Sequence, residues 1–289
     1  MPETALGDYT TPPFGRRQLE LVGTTNSGAY RLIEVRDPSG VVPVAGQFYM
    51  LSTESQWPGS SGRPYLPRAF SVASVDTHRD GVTLGFLVHA VGPGTQRVEE
   101  MVEGGADSLL AVGPLGRGFS APDEVVAGAK GAILVGGGIG VAPLALLRRD
   151  LVRLGIPSRV LLGYRDAENS GGLDLFDCSE MKLATDDGHA GYRGRVTDLL
   201  EGLLSGDDRG SAVVYSCGPP AMLEAVRVMC DQVGVACQLA LESPMGCGYG
   251  ACFGCAVPLR EGGYMRLCLD GPVVDGSAIA RADAGAEAG

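Results

Sequence analysis

The sequence predicts an antiparallel β barrel, then an α/β domain with a parallel sheet, then a small cysteine-rich domain. Three observations carry this prediction. Short segments rich in β-branched and aromatic residues, separated by Gly, Pro, Asp and Asn, fill residues 17–111. After residue 122, hydrophobic strands alternate with helical segments, and a group of closely spaced cysteines follows. The predicted division of the chain is 1–122, 123–240, 241–275 and a disordered tail over 276–289.

The composition is that of an ordinary globular protein. Of the 289 residues, 45% are hydrophobic and 20% charged, which is enough to build cores in two domains. The net charge of −11 disfavours nucleic acid or an anionic membrane as partner, because both require a positive surface. We find neither a signal segment nor an apolar run of membrane-spanning length. Eight cysteines, four of them in ligand-like spacing, favour a reducing compartment, so we expect a cytoplasmic protein.

Six segments predict the barrel strands, because each is short, contains β-branched or aromatic residues and is bounded by turn formers. They are 18–24, 29–36, 47–53, 69–75, 82–88 and 108–111. Residues 1–15 contain three prolines and no periodicity, and we interpret them as a leader that packs on the barrel. Residues 55–67, rich in Pro, Gly and Ser, predict an inserted loop.

The second domain is predicted from alternation. The strands are 131–135, 159–164, 182–185, 212–216 and 237–241, and the helices are 143–154, 196–204 and 219–233. Alternation of this kind is typical of parallel strands joined by crossover helices. Ligands of such sheets bind beyond the carboxyl ends of the strands, so the turns after the strands are the candidate sites.

A glycine-rich turn follows the first of these strands. Gly136, Gly138 and Gly140 precede Pro143, at which we expect the helix to begin. Glycine lets a pyrophosphate approach the backbone, and the N–H groups of a helix N-terminus bind its charge. The spacing departs from the Rossmann pattern because Pro143 replaces the last glycine. The turn indicates a dinucleotide site, and the alternative is a glycine turn that only packs a helix closely on a sheet.

A second turn of the same kind contains Cys217 and Gly218 and should face the same crevice. Cys217 could contact a nicotinamide there, and the alternative is a small buried residue. After the second strand, Asp166 and Glu168 would repel the 2′-phosphate of NADP, whereas Arg165 could attract it. We favour NAD.

The barrel contains a weaker set of candidates for binding a flavin. An arginine fork matches a phosphate, while serine and backbone groups can hydrogen-bond the polar edge of the ring. The candidates are Arg68, Ala69, Phe70, Ser71, Leu87, Val88, His89, Gly94 and Thr95. The alternatives are that Arg68 is a surface charge and that His89 is a strand residue with a structural hydrogen bond.

The strongest motif is the cysteine group Cys247, Cys252, Cys255 and Cys268, with the spacing C-x4-C-x2-C-x12-C. Its first three members follow the spacing of plant-type [2Fe–2S] ligands, and the glycines between them let backbone N–H groups point at the sulfurs. Zinc is an alternative, but structural zinc sites usually contain two short Cys pairs and only one is present. Disulfides or unligated core cysteines are further alternatives.

These motifs stand in an order that resembles the ferredoxin-reductase-like family. The order is Arg68-x-x-Ser71, Gly94-Thr95, Gly113-Pro114-Leu115-Gly116, Gly136 to Pro143, Cys217-Gly218-Pro219 and the four cysteines. Within that family the chain is most similar to the electron-transfer subunits of class 1B, NAD-dependent dihydroorotate dehydrogenases. The strongest similarity is Glu242-Ser-Pro-Met-Gly-Cys247 through Cys255, followed by Met265-Arg-Leu-Cys268.

The resemblance implies FAD on the barrel, NAD on the second domain and a [2Fe–2S] cluster on the four cysteines. It also implies a partner, an FMN-containing catalytic subunit that oxidises dihydroorotate in pyrimidine biosynthesis, in a heterotetramer with two copies of each chain. A nicotinamide exchanges two electrons as a hydride and a cluster one electron at a time, so a flavin, which does both, must stand between them. The chain itself then needs no catalytic acid, base or nucleophile.

Two alternative functions remain open at this point. The same parts are expected in the small subunit of a ferredoxin:NADP oxidoreductase, a hydrogenase or a sulfite reductase, which differ in partner and not in site. A redox-sensing module without enzymatic activity is a different class, and it would be expected to carry an output domain.

Overall fold

The computed structural model describes residues 15–54, 57, 64–105, 108–176, 181–206 and 211–282. In these ranges the chain forms a closed antiparallel barrel, a mainly parallel sheet with helices and a small cysteine-containing hairpin region, so the predicted fold class is confirmed. The predicted leader lies outside the described residues except for Gly15, and so do residues 55–56 and 58–63 of the predicted loop. Of the described helices, none combines the length and apolar character needed to cross a membrane.

The barrel closes in the strand order β1-β2-β5-β4-β3-β6. Its strands are β1 (Arg17–Ser27), β2 (Tyr30–Asp37), β3 (Phe48–Thr53), β4 (Arg68–His78), β5 (Gly81–Val88) and β6 (Ser108–Leu115). Side chains that alternate along the strands fill the interior, for example Ile33 and Val35 of β2, which are fully buried. Closure leaves no unpaired edge, so the barrel gives the loops at its ends a rigid support.

Helix α1 (Pro93–Glu103) connects β5 to β6 and was not predicted. Pro93 opens its first turn, and Val98 and Met101 are buried against the barrel. Gly94 and Thr95, which are candidates for binding a flavin, lie in the first turn of this helix. The apolar spacing of three and four residues from Val98 to Met101 and Val102 was the available signal.

The second sheet has the order β10-β9-β8-β7-β11-β12-β15, and every pairing is parallel except that of β15. Its strands are β7 (Gly131–Gly137), β8 (Ser158–Tyr164), β9 (Met181–Thr185), β10 (Tyr192–Arg193), β11 (Ala212–Cys217), β12 (Cys237–Ala240) and β15 (Val273–Asp275). The helices are α2 (Pro122–Val125), α3 (Val141–Arg153), α4 (Val196–Leu204) and α5 (Pro220–Val233). Helix α3 begins two residues before Pro143, after a 3-10 turn over Gly138–Gly140, so the predicted helix start is corrected.

The cysteine segment lies between β12 and β15 and contains the hairpin β13 (Ala256–Pro258) and β14 (Tyr264–Arg266), followed by α6 (Leu267–Asp270). Since β15 pairs with β12, the chain returns to the second sheet after the cysteines. Residues 273–275, which were predicted to end the cysteine-rich domain, therefore form a strand of the second sheet.

The predicted disorder of 276–289 is wrong for residues 276–282. Ile279 is fully buried and forms a bridge with Leu259, and the N–H of Arg260 donates to the carbonyl of Ala278. The N–H of Ala282 donates to the carboxylate of Glu224 on α5. The Ala- and Gly-rich composition concealed this, because one buried isoleucine and a few backbone hydrogen bonds suffice to hold the segment. Residues 283–289 lie outside the described residues.

Candidate functional site

A cleft of about 720 Å³ lies at the carboxyl ends of β7, β8, β9 and β11, where sheets of this kind bind ligands. Its floor is backbone, because Gly137, Gly138 and Gly163 line it. Three charged side chains stand around it: Arg165 after β8, Asp186 after β9 and Arg195 before α4. Backbone N–H groups, two guanidinium groups and one carboxylate are the partners that a dinucleotide's phosphates and ribose hydroxyls require.

The glycine turn after β7 is packed against the turn after β11. A Cβ atom placed on Gly140 would lie 2.6 Å from the backbone of Cys217 and Gly218, so the two turns touch backbone to backbone. Gly138 has φ of 55°, which favours glycine, and it borders the open cleft. Gly136 lies inside β7, packed against Leu162 and α3. The predicted glycines therefore divide, since Gly138 lies in the cleft while Gly136 and Gly140 hold the turn together.

Cys217 and Gly218 lie behind this floor rather than in the cleft. Cys217 is 3% exposed, and burial, together with the nearby Glu242 carboxylate, raises the pKa of its thiol. A Cβ on Gly218 would lie 2.6 Å from the side chain of Met222, which lines the cleft. A nicotinamide contact by Cys217 stays a prediction, and the geometry by itself favours the packing alternative.

A second cavity, of about 370 Å³, lies between the barrel, the glycine turn and the cysteine segment. Of the barrel residues predicted to bind a flavin, those that line it are Arg68, Ala69, Phe70, Ser71, Leu87, His89 and Thr95. Val88 and Gly94 are buried behind them, and Gly94 lacks a side chain where the Arg68 side chain passes. The backbone of β4 thus offers hydrogen-bond groups along one wall, and Arg68 supplies a cation.

The two cavities meet at His89, Val91 and Ile139, which line both. The His89 ring packs on Tyr30 with ring centroids 5.0 Å apart. A flavin in the smaller cavity and a nicotinamide in the larger one would therefore approach each other at these residues. His89 directly follows the end of β5 and lines both cavities. The sequence alone left open whether it is a cofactor contact or a structural strand residue.

The other wall of the flavin cavity comes from residues that sequence reasoning missed. They are Leu241, Glu242, Ser243, Pro244, Met245 and Pro272 at the two ends of the cysteine segment, Phe48 of β3, and Ile139 and Ala142 on either side of the glycine turn. Gly140, which was predicted as a dinucleotide contact, lines this cavity as well. Glu242 directly follows β12, so the rule that ligands bind beyond strand ends was the available signal for it. The cysteine segment therefore forms part of the wall of this cavity.

Glu242 is the titratable group of this wall. Its side chain is open to the cavity, but protein surrounds it on its other sides, and this burial raises the pKa of its carboxyl above 4.5. A raised pKa favours the neutral acid, which can donate a hydrogen bond into the cavity.

Glu242→Gln is expected to leave stability unchanged in acid and to increase it modestly at higher pH. Below pH 4.5 the carboxyl is protonated in both the folded and the unfolded chain. As pH rises, the unfolded chain ionises first, so the wild type loses stability until the raised folded pKa is passed, while the variant does not. Melting temperatures of both proteins across this pH range check the result. A variant that is equally destabilised at every pH would contradict it.

The four cysteines lie in two pairs. The sulfurs of Cys255 and Cys268 are 3.3 Å apart and buried, and the thiols of Cys247 and Cys252 hydrogen-bond each other nearer the surface. Within the described part of the chain, no three Cys, His, Asp or Glu side chains converge as ligands of a single metal ion. Two pairs of thiols match two irons with two ligands each better than one tetrahedral zinc.

The backbone around the pairs is arranged for anionic sulfur. Partial burial would raise the pKa of the Cys247 thiol, but the N–H groups of Cys252, Tyr249 and Ala251 lower it to about 7. The Ala251 nitrogen is 3.3 Å from the Cys247 sulfur. Burial and the adjacent Cys255 raise the pKa of Cys268 to about 12, so the Cys268 sulfur ionises only beside a cation. An iron–sulfur cluster supplies that charge, and these residues fit it.

Comparison with known protein families agrees with this geometry. Residues 242–280 match the family model of the iron–sulfur cluster binding domain of dihydroorotate dehydrogenase B, which confirms the predicted iron–sulfur cofactor. A curated relative from Caldanaerobacter subterraneus subsp. tengcongensis is 35% identical over 243 residues, covering 81% of this chain and 86% of the relative. One from Geobacillus sp. strain WCH70 is 37% identical over 232 residues, covering 79% and 83%. Both are named dihydroorotate dehydrogenase B (NAD(+)), electron transfer subunit.

Solved structures share the fold at lower identity. A chain of the NADH-dependent reduced ferredoxin-NADP oxidoreductase superposes with a TM-score of 0.74 at 23% identity, covering 98% of this chain and 93% of that one. Phthalate dioxygenase reductase superposes with a TM-score of 0.56 at 17% identity, covering 93% and 96%. At these identities the likeness concerns the fold.

Proposed function

Because the chain belongs to the family of electron transfer subunits of dihydroorotate dehydrogenase B, we propose that it carries electrons from a dihydroorotate-oxidising partner chain to NAD⁺. Its place is then in pyrimidine biosynthesis, in the cytoplasm. The partner is the FMN-containing catalytic subunit, and two copies of each chain form the working complex.

One observation carries this proposal. The flavin cavity shares His89, Val91 and Ile139 with the dinucleotide cleft, and its opposite wall is the segment from Leu241 to Met245 that leads into the cluster ligands. The three sites are therefore contiguous. The flavin cavity lies between the dinucleotide cleft and the cysteine segment, as expected for a flavin that links two-electron transfer from a nicotinamide to one-electron transfer by a cluster. When bound, FAD supplies the conversion between hydride transfer and single-electron transfer, and the cluster carries single electrons.

The residues of each site have distinct tasks in this function. The Arg68 guanidinium is available to bind a phosphate of the flavin nucleotide, and Ser71 with the backbone of β4 orients the ring edge. Ile139 and Val91 exclude water where the two ring systems meet. In the cleft, Gly138 admits the pyrophosphate, and Asp186 is placed to accept hydrogen bonds from a ribose. The free 2′-hydroxyl of NAD can donate a hydrogen bond to the Asp186 carboxylate, whereas this carboxylate repels the 2′-phosphate of NADP. This favours NAD.

The predicted NAD preference therefore rests on a different acid from those that the sequence suggested. Asp166 is engaged in a turn, where its carboxylate accepts hydrogen bonds from Asn169, and Glu168 is exposed. Asp186 lines the cleft instead.

The surface around Cys252 is suited to docking the partner. Cys252 is exposed, and so are the aromatic rings of Tyr249, Phe253 and Tyr264 in the same segment and hairpin. The Arg266 guanidinium lies over the Phe253 ring at 4.7 Å and holds it in place. Exposed aromatic side chains beside a redox centre favour a protein partner, because aromatic residues are enriched at interfaces.

The function is tested by isolating the chain, affinity-tagged, from cells that also produce the candidate partner. We expect co-elution with a flavoprotein that oxidises dihydroorotate, together with flavin and about two irons and two acid-labile sulfides per chain. Phe253→Asp should release the partner while flavin and iron contents stay unchanged. Tyr192→Asp, an exposed aromatic position on the distant strand β10, is the matched control and should retain it.

Two results would overturn the function. Co-elution with a ferredoxin, hydrogenase or sulfite reductase chain in place of the dihydroorotate-oxidising protein would show that the chain is the small subunit of one of those enzymes. One zinc without sulfide would remove the cluster and with it the electron path.

A further inference from the structure

Two cysteines outside the cofactor sites lie side by side. Cys230 is in the last turn of α5, and Cys237 is the first residue of β12. Gly234, in the left-handed conformation, ends the helix between them, and the N–H of Val235 donates to the carbonyl of Cys230. This tight connection brings the thiol of Cys230 to the sulfur of Cys237, and the two hydrogen-bond each other.

The charges around the pair make Cys237 the reactive member. The hydrogen bond donated by Cys230, the N–H of Gly276 and the Arg227 guanidinium lower the pKa of the Cys237 thiol against the opposing effects of burial and Asp275. The hydrogen bond to Cys237 and burial raise that of Cys230. Arg227 is held in place by Glu224 at 2.7 and 2.8 Å, and Asp231 is the other charged group near it. The pair thus resembles a nucleophilic thiolate with a resolving thiol beside it.

The pair can be reached from the surface. A cavity of about 330 Å³ opens onto both cysteines, and its charged lining residues are Arg227, Asp231 and Asp275. Cys237 is 8% exposed and Cys230 1%, so a small polar molecule in this cavity meets Cys237 first. The Arg227 guanidinium, although paired with Glu224 and accompanied by Asp231 and Asp275 in the lining, is the cation beside the thiols and favours the Cys237 thiolate.

The segment 276–282 closes over this pair and connects it to the cluster hairpin. Gly276 rests on the Cys237 sulfur so closely that a Cβ atom there would overlap it. Further along the segment, the carbonyl of Ala278 accepts a hydrogen bond from the N–H of Arg260, which follows β13. At its end, the N–H of Ala282 donates to the carboxylate of Glu224. The carboxylate that positions Arg227 therefore also anchors the segment.

We propose that Cys230 and Cys237 form a redox-sensitive dithiol that hydroperoxides oxidise to an intramolecular disulfide. The Cys237 thiolate attacks one peroxide oxygen, the O–O bond breaks, and a sulfenic acid and hydroxide result. The Cys230 sulfur then attacks the Cys237 sulfur, the S–S bond forms, and the hydroxyl leaves as water with the Cys230 proton. Two electrons pass from the dithiol to hydrogen peroxide, which becomes two waters, and a dithiol reductant reverses the reaction.

The disulfide changes the support of the cluster hairpin. Its formation draws the Cys237 sulfur toward Cys230 and away from Gly276, so the segment 276–282 loses one of the contacts that hold it. Backbone amides of this segment are then expected to exchange hydrogen faster in the oxidised protein.

The test uses the complete protein with its cofactors, reduced, freed of reductant and exposed to hydrogen peroxide. Peptide mapping without reduction, after cleavage on the N-terminal side of Asp231, should find the peptides of Cys230 and Cys237 joined and two hydrogens lighter, and dithiothreitol should separate them. Cys217, which is buried and has a raised pKa, serves as the internal comparator and should react at least about tenfold more slowly than Cys237. The visible absorbance of the cluster, recorded in parallel, separates this reaction from loss of the cluster.

Two variants make the assignment of roles falsifiable. In Cys230→Ser the sulfenic acid at Cys237 has no resolving thiol and should be trapped by dimedone, whereas Cys237→Ser should leave Cys230 unlabelled. The proposal is overturned if both thiols stay reduced until the protein is unfolded, if Cys230 is labelled first, or if Cys217 reacts as fast as Cys237. None of these results depends on the partner chain, so the proposed function is tested separately.

Discussion

Cys252→Ser is expected to abolish electron passage to the partner chain while NADH still reduces the flavin. Losing the hydrogen-bond partner of a metal ligand already costs 10–100-fold in metal affinity, so losing a ligand itself should cost more than about 100-fold. A serine hydroxyl does not ionise near neutral pH, so the exposed pair Cys247 and Cys252 would hold only one thiolate. Neither residue lines the flavin cavity or the dinucleotide cleft, as the described residues define them.

Rapid-mixing absorbance measurements with NADH and iron and sulfide analysis check this result. Ala251→Ser is the matched control, because it places the same side chain at the neighbouring exposed position and keeps all four thiols. Loss of flavin from Cys252→Ser, with the control unaffected, would contradict the expectation. It would show that the loaded cluster is needed to keep the wall from Leu241 to Met245 in place.

Gly140→Ala is expected to lower stability by about 1–3 kcal/mol and to weaken NADH binding, although it adds one methyl group. The new Cβ would lie 2.6 Å from backbone atoms of Cys217 and Gly218, and backbone in a packed sheet cannot move aside as a side-chain tip can. The turns after β7 and β11 would separate, and with them the floor of the cleft.

Denaturant unfolding and titration with NADH measure the two effects. Gly202→Ala is the matched control, because Gly202 lies in α4 with no atom within 4 Å of a Cβ placed there. It should raise stability by about 0.4–1 kcal/mol, the usual gain from Gly to Ala in an exposed helix. Equal effects of the two substitutions would show that the close approach of the two turns has no energetic weight.

The fold was largely predictable because its signals are local. Alternating apolar residues, turn formers and strand–helix alternation identified the barrel strands and the elements of the second sheet that carry its core. Helix α1 was missed because Gly94 and Thr95 were given a ligand role, while the apolar stripe through Val98 and Met101 went unused. That residues 276–282 are ordered could not be predicted, because Ile279 is buried through contact with a hairpin that is distant in the sequence.

The candidate site was predictable in proportion to how local each part is. The four cysteines form a site whose spacing is visible in one stretch, whereas the flavin cavity joins β4, the glycine turn and the residues after β12. Sequence reasoning assigned the residues of β4 to the flavin and the glycine turn to the dinucleotide, and it did not include the third wall, which contains Glu242. It also assigned Gly136 and Cys217 to the dinucleotide, while the structure places Gly136 inside a strand and Cys217 behind the cleft floor.

By itself the sequence indicated four candidate cluster ligands, the glycine turns and the succession of a barrel, a parallel sheet and a cysteine segment. Each of these follows from residues close together in the chain, whose spacing dictates local geometry. Only the tertiary structure decided that the flavin cavity borders both the dinucleotide cleft and the cysteine segment, and that Cys230 and Cys237 lie under residues 276–282. The physical reason is that cavities and thiol pairs form where distant segments pack, and packing depends on the burial of the whole core rather than on any one stretch.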